Sequence, residues 1–128
     1  MRVGVVGAGI AGLLCARRLV ELVPGIQVSI FEWGRGPGGR TARRRVKINE
    51  GHEISFDHSA PFFSARTGIF KDMLAGWEAE GIAAPWADAG GDIWVGTPSN
   101  HAIAKHISSR LANAGVLLLF GHHVLSAE

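Results

Sequence analysis

The chain is short of several things, and each shortage removes a class of protein. It has a single cysteine, Cys15, which excludes an internal disulfide and fits a reducing compartment. The expected place for that thiol is the buried side of the first helix, where it acts as a small apolar residue. No apolar run approaches the roughly 20 residues needed to span a bilayer. The first apolar stretch is broken by glycine and leads into Arg17-Arg18, which does not fit a secretory signal, and no transit peptide is visible. A cytoplasmic location and no membrane partner are the expectations. Repeats, low-complexity tracts and a catalytic triad are all missing. Metal ligands do not converge either. His101 and His106 are five apart on one predicted helix, His122-His123 are neighbours in a predicted turn, and Cys15 lies far from both pairs. No metal is expected.

What remains is a globular composition. Of 128 residues, 47% are hydrophobic and 19% charged, with a net charge of +2. That length allows one domain at most. The positive excess is local: Arg35, Arg40, Arg43, Arg44, Arg45 and Lys47 fall within thirteen residues. The cluster has no interleaved aromatics, so nucleic acid is not the expected partner. Phosphates of a small ligand, with the remaining charges solvated, are the simpler account.

Periodicity divides the chain into alternating elements. Residues 2–6 form a continuous apolar run, the pattern of a buried parallel strand. Residues 10–23 predict a helix with Leu13, Leu14, Ala16, Val20 and Val23 on its buried side, stopped by Pro24-Gly25. Residues 26–31 predict a second parallel strand, followed by a Gly-rich loop over 33–41. The alternation of Val46, Ile48, Ile54 and Phe56 predicts a hairpin. A helix follows over 67–80, with Trp77 in the core. Short extended pieces flank Gly90-Gly91. A further helix starts near Pro98 and carries Ile103, Ile107 and Leu111 until Gly115 ends it. Val116 to Phe120 is an apolar strand, and Val124-Leu125 is expected to extend its pairing. Three parallel strands are few for a doubly wound sheet, so the expectation is the N-terminal portion of something longer.

The most informative segment is Gly7-Ala8-Gly9-Ile10-Ala11-Gly12, which lies between the first strand and the first helix. Glu32 follows twenty residues after Gly12, at the end of the second strand. This order is the fingerprint of a dinucleotide-binding βαβ unit. Gly7 permits the tight turn, Gly9 lets a pyrophosphate approach the backbone, and Gly12 lets the helix pack on the sheet. The helix N-terminus offers N–H groups to phosphates, and Glu32 is placed to accept from a ribose diol. FAD and NAD remain alternatives at this point. Trp33 follows the ribose acid directly and reads equally well as an adenosine neighbour or as surface packing.

Two further motifs narrow the choice. Arg35-Gly36-Pro37-Gly38-Gly39-Arg40-Thr41 resembles the twin-glycine loop that follows the ribose-binding Glu in the flavoprotein amine-oxidase superfamily. Phe56-Asp57-His58-Ser59-Ala60 resembles a segment of renalase-like FAD oxidoreductases. The resemblance covers nearly the whole chain and is strongest over 3–63. It implies a Rossmann-like α/β fold that binds FAD, with a β-hairpin and the start of a substrate-domain insertion. Residues 1–128 would be an incomplete N-terminal FAD-binding domain, with 45–100 partly substrate region. It further implies that Gly7, Gly9, Ala11 and Gly12 hold the pyrophosphate and that Glu32 holds the ribose. Gly38, Gly39, Arg40 and Thr41 would line the pyrophosphate and ribityl path. His58, Ser59 and Ala60 would approach the isoalloxazine, and the strand residue Val124 would meet the adenine. His58 reads equally as a flavin-proximal polar group or as a structural anchor, and Asp57 reads as a turn or capping acid rather than a base.

Two departures stand out. Ser59 replaces the family's glycine, and Ser99-Asn100-His101 replaces an expected Gly-Met pair. The implied activity is flavin-mediated hydride removal from a small amine or reduced nicotinamide-type substrate, with oxygen as acceptor. The alternatives are a non-catalytic nucleotide-binding fragment and the NAD-binding domain of a dehydrogenase.

Overall fold

A computed structural model describes residues 1–126. The chain divides into two compact units: Met1–Gly39 together with the stretch from Ala104 onward, and Arg40–Ile103.

The first unit is α/β. Strand β1 (Arg2–Val6) leads into helix α1 (Ile10–Leu22), and β2 (Gln27–Glu32) follows. The last strand, β7 (Leu117–Phe120), pairs in parallel with β2, giving the order β1-β2-β7. Successive strand residues face opposite sides. Val28 and Ile30 on β2 are buried, as are Leu13 and Ala16 on α1. Their neighbours on the other sheet face are not. Gln27 is exposed, Ser29 and Phe31 are half-buried, and Leu117 is exposed. The Phe31 ring lies across β1 at Gly4, where a Cβ would stand 3.4 Å from it.

Three expectations fail here. β1 is not buried throughout: Val3 and Val5 are half-buried, and Val6 is exposed. It stands at one edge of the described sheet. Cys15 is exposed rather than buried. At 100° per residue it lies about 200° round from Leu13, away from the face shared by Leu13 and Ala16. Val124 is not a strand residue. β7 ends at Phe120, and residues 122–126 are irregular.

The second unit is built from local antiparallel pairs. β3 (Arg43–Asn49) and β4 (His52–Asp57) form the predicted hairpin. The short strands β5 (Ala83–Pro85) and β6 (Trp94–Gly96) pair around the Gly90-Gly91 turn. Between these pairs lies α2 (Gly68–Ala79), capped by the Thr67 hydroxyl, which accepts from the Phe70 N–H at 3.4 Å. An edge-to-face series, Phe63 to Phe70 to Trp77, forms its aromatic core at centroid distances of 6.1 and 5.8 Å. Helix α3 (His101–Asn113) begins in this unit. Its first residue lies three past Pro98, because Asn100, not Pro98, holds the cap position. No helix among the described residues is long and apolar enough to cross a membrane.

Candidate nucleotide site

The glycine triplet occupies the turn from β1 into α1. Gly7 has φ +96°, a conformation L side chains rarely adopt, and its N–H donates to the Phe31 carbonyl at 2.7 Å. Gly12 is required by close packing. A Cβ there would fall on the Gly7 carbonyl oxygen and also crowd the Val5 side chain. Gly9 is different. It takes the cap position of α1, and a Cβ on it would meet no heavy atom within 4 Å. Packing within the protein therefore does not explain the missing side chain at Gly9. The helix it opens has neither a side-chain cap nor an acid in its first turn. Its first N–H groups cannot bond within the helix, so this end carries partial positive charge beside open space. That is the chemistry of an anion cradle.

The twin-glycine loop lies directly against this turn. Gly38 bridges to Gly9, and the Gly38 N–H donates to the Ala8 carbonyl at 2.9 Å. A Cβ on Gly39 would stand 3.3 Å from the Gly9 Cα, and Gly39 has φ +52°. Two Gly-rich segments thirty residues apart thus form one backbone surface. Glu32 joins the same group. One of its carboxylate oxygens accepts from the Ala8 N–H at 2.7 Å and the other from the Gly34 N–H at 2.6 Å. Each oxygen keeps a further lone pair for a ribose hydroxyl. Gly7, Gly9, Ala11, Gly12, Glu32, Gly38 and Gly39 all belong to this unit.

The other residues implied by the resemblance fall in the second unit. Arg40 and Thr41 form a short 3-10 turn with Gly39. His58 and Ser59 are exposed, and Ala60 is half-buried. Asp57 acts as a cap: one carboxylate oxygen accepts from the Asn100 N–H at 3.0 Å, just ahead of α3. Its other oxygen is buried without a hydrogen-bond partner among the described residues.

Sequence reasoning missed the group that organises this region. Asn100 is 2% exposed. Its Oδ1 accepts from the Gly96 N–H at 2.6 Å, and its Nδ2 donates to the Ala60 carbonyl at 2.6 Å. One side chain therefore links the end of β6 to the segment after β4. Asn one residue ahead of an apolar periodic run is a helix-cap signal, and it was available at the Ser99-Asn100-His101 departure. Among the described residues Val124 lies in no strand. The ladder past β7 is carried instead by Gly121 N–H to Gly34 carbonyl and His122 N–H to Glu32 carbonyl, both at 2.9 Å.

Comparison with known proteins agrees with this geometry. The family described as NAD(P)-binding Rossmann-like domain matches residues 5–77, more than half of the sequence. The chain belongs to this family. It is 44% identical over 70 residues to lysine-specific histone demethylase 1 homolog 1 of Arabidopsis thaliana, covering 55% of this chain and 8% of that protein. It is 34% identical over 116 residues to a thiamine thiazole synthase of Pyrobaculum calidifontis, covering 86% of this chain and 43% of that one. The chain thus spans less than half the length of these curated relatives. An oxidoreductase from Methanosarcina mazei shares the fold at a TM-score of 0.51 and 12% identity, over 94% of this chain and 51% of that structure. The chain carries an NAD(P)-binding Rossmann-like domain.

Proposed function

We propose that this chain is the FAD-binding portion of a renalase-like oxidoreductase acting on a small amine or reduced nicotinamide-type substrate, with oxygen as acceptor. The observation that carries the reading is the apposition of Gly38 and Gly39 to Gly9. A single Gly triplet serves any dinucleotide. A second glycine loop laid on it gives a longer side-chain-free surface, suited to a pyrophosphate wrapped from two sides.

In this reading Gly7, Gly9, Ala11 and Gly12 present backbone to the pyrophosphate, and the α1 N-terminus stabilises its charge. Glu32 accepts from the ribose diol. Gly38 and Gly39 close the second side, and the resemblance assigns Arg40 and Thr41 to the pyrophosphate and ribityl path. The resemblance assigns His58, Ser59 and Ala60 to the isoalloxazine, with His58 as the polar group. Val124 is assigned to the adenine, and since it is not in a strand it would act through irregular backbone. The chemistry supplied by bound FAD is hydride acceptance from the substrate and electron transfer to oxygen. The chain's own contribution is binding, orientation and the field of the helix end.

A second reading, an NAD-binding domain, is favoured by Glu32, whose carboxylate suits either ribose. Titration separates the two. Adding FAD to the purified chain should quench flavin fluorescence and give a stable yellow complex, with weaker binding of NADH. A chain that binds NADH and stays colourless with FAD would overturn the flavin reading.

A further inference from the structure

We infer that Trp33 and His123 form a two-ring platform for the purine base of the bound nucleotide. In this platform Trp33 touches the base, and His123 is the positioning residue that holds the indole. The inference rests on the dinucleotide reading of Glu32.

The two rings stack with centroids 5.0 Å apart and planes at 19°. Trp33 is nevertheless 73% exposed, so His123 covers one indole face and the other is open. The position is set by main chain. The segments carrying the rings are tied together by Gly121 N–H to Gly34 carbonyl and by His122 N–H to Glu32 carbonyl. The His122 ring nitrogen Nδ1 lies 2.9 Å from the Phe120 carbonyl, which further fixes this stretch.

The location follows from nucleotide chemistry. The base is joined to the same ribose whose hydroxyls Glu32 would accept from, so whatever holds the base must lie within a side chain's reach of Glu32. Trp33 is the adjacent residue, at the carboxyl end of β2, where ligands of parallel sheets bind. An indole face offers a purine dispersion and π-stacking without reading its hydrogen-bonding edge. A backed indole loses less freedom on binding than a free one. The platform therefore favours large aromatic bases over small or absent ones.

The test uses ADP and inorganic pyrophosphate as probes on the 128-residue chain, by calorimetric titration. Trp33→Ala should weaken ADP binding by about tenfold or more and leave pyrophosphate binding unchanged. His123→Ala should weaken ADP binding by a smaller factor, and His123→Phe, which keeps a ring, should restore it. ADP should quench indole emission in the wild type more than in Trp33→Phe. Equal ADP affinity in wild type and Trp33→Ala would overturn the platform while leaving the dinucleotide site intact. Parallel losses for ADP and pyrophosphate would assign Trp33 a purely structural role. A wild-type chain that binds neither probe would overturn both this inference and the reading beneath it.

Discussion

Each of the two units is organised internally by a different kind of atom. Around Gly9, the joins are main chain to main chain: Gly7 to Phe31, Gly38 to Ala8, Gly121 to Gly34. Around Ala60, a single buried side chain, Asn100, satisfies two backbone groups and places the start of α3 on Asp57. A backbone-built site tolerates side-chain change wherever space is open and fails where a Cβ meets backbone. A site built on one amide fails when that amide is removed. The same contrast appears in the strands. Val28 and Ile30 on β2 are buried, whereas Val46, Ile48, Ile54 and Phe56 on the hairpin are between 36% and 54% exposed. Alternation specifies which residues share a sheet face, but not whether that face is covered.

The largest expected effect tests the backbone-built unit. Gly12→Val places its side chain on the Gly7 carbonyl, which cannot move without opening the turn. A loss of about 3 kcal/mol or more is expected in urea titration. Unchanged stability would break the comparison at its strongest point. Next comes the amide-built unit. Asn100→Ala strands the Gly96 N–H and the Ala60 carbonyl and should cost about 2–4 kcal/mol. Asp57→Ala removes only the cap contact ahead of α3, and about 1 kcal/mol is expected in the same measurement. A loss as large as that of Asn100→Ala would move the organising role from the amide to the carboxylate.

The smallest effect is electrostatic. Glu21 has its carboxyl held below the ordinary range, mainly by its hydrogen bond with Arg17; partial burial opposes this, and Arg18 adds a smaller lowering effect. A depressed carboxyl stabilises the fold above its unfolded pKa, and that contribution is lost as pH falls through the folded value. The pair is exposed, so Arg17→Ala should reduce the acid-side dependence only slightly, and added salt should erase the difference.

Much of the first unit was legible in the sequence because its constraints act within short stretches. Gly7, Gly12 and Glu32 announce themselves by spacing, and the parallel strands by apolar runs. The apposition of Gly38 to Gly9 was implied only by resemblance, since nothing in spacing brings two loops together. Cys15 was misplaced because the buried face of α1 is narrow, limited at full burial to Leu13 and Ala16. Val124 was misplaced because an apolar pair after Gly121 looks like a strand, whereas the pairing had already ended in the Gly121 and His122 backbone bonds. Asn100 escaped notice because a buried polar side chain is recognised by its partners, and these lie four and forty residues away.

Gly9 gives the most direct test of the account. Its missing Cβ has open space around it, so packing within the protein does not require the glycine, and a group bound against the backbone would. FAD titration of wild type and Gly9→Val, with urea unfolding of both, separates fold from site. The account predicts only the small stability loss of a poorer helix cap, about 1 kcal/mol, and at least about a tenfold loss of FAD affinity in the variant. Equal affinity in both proteins would contradict it.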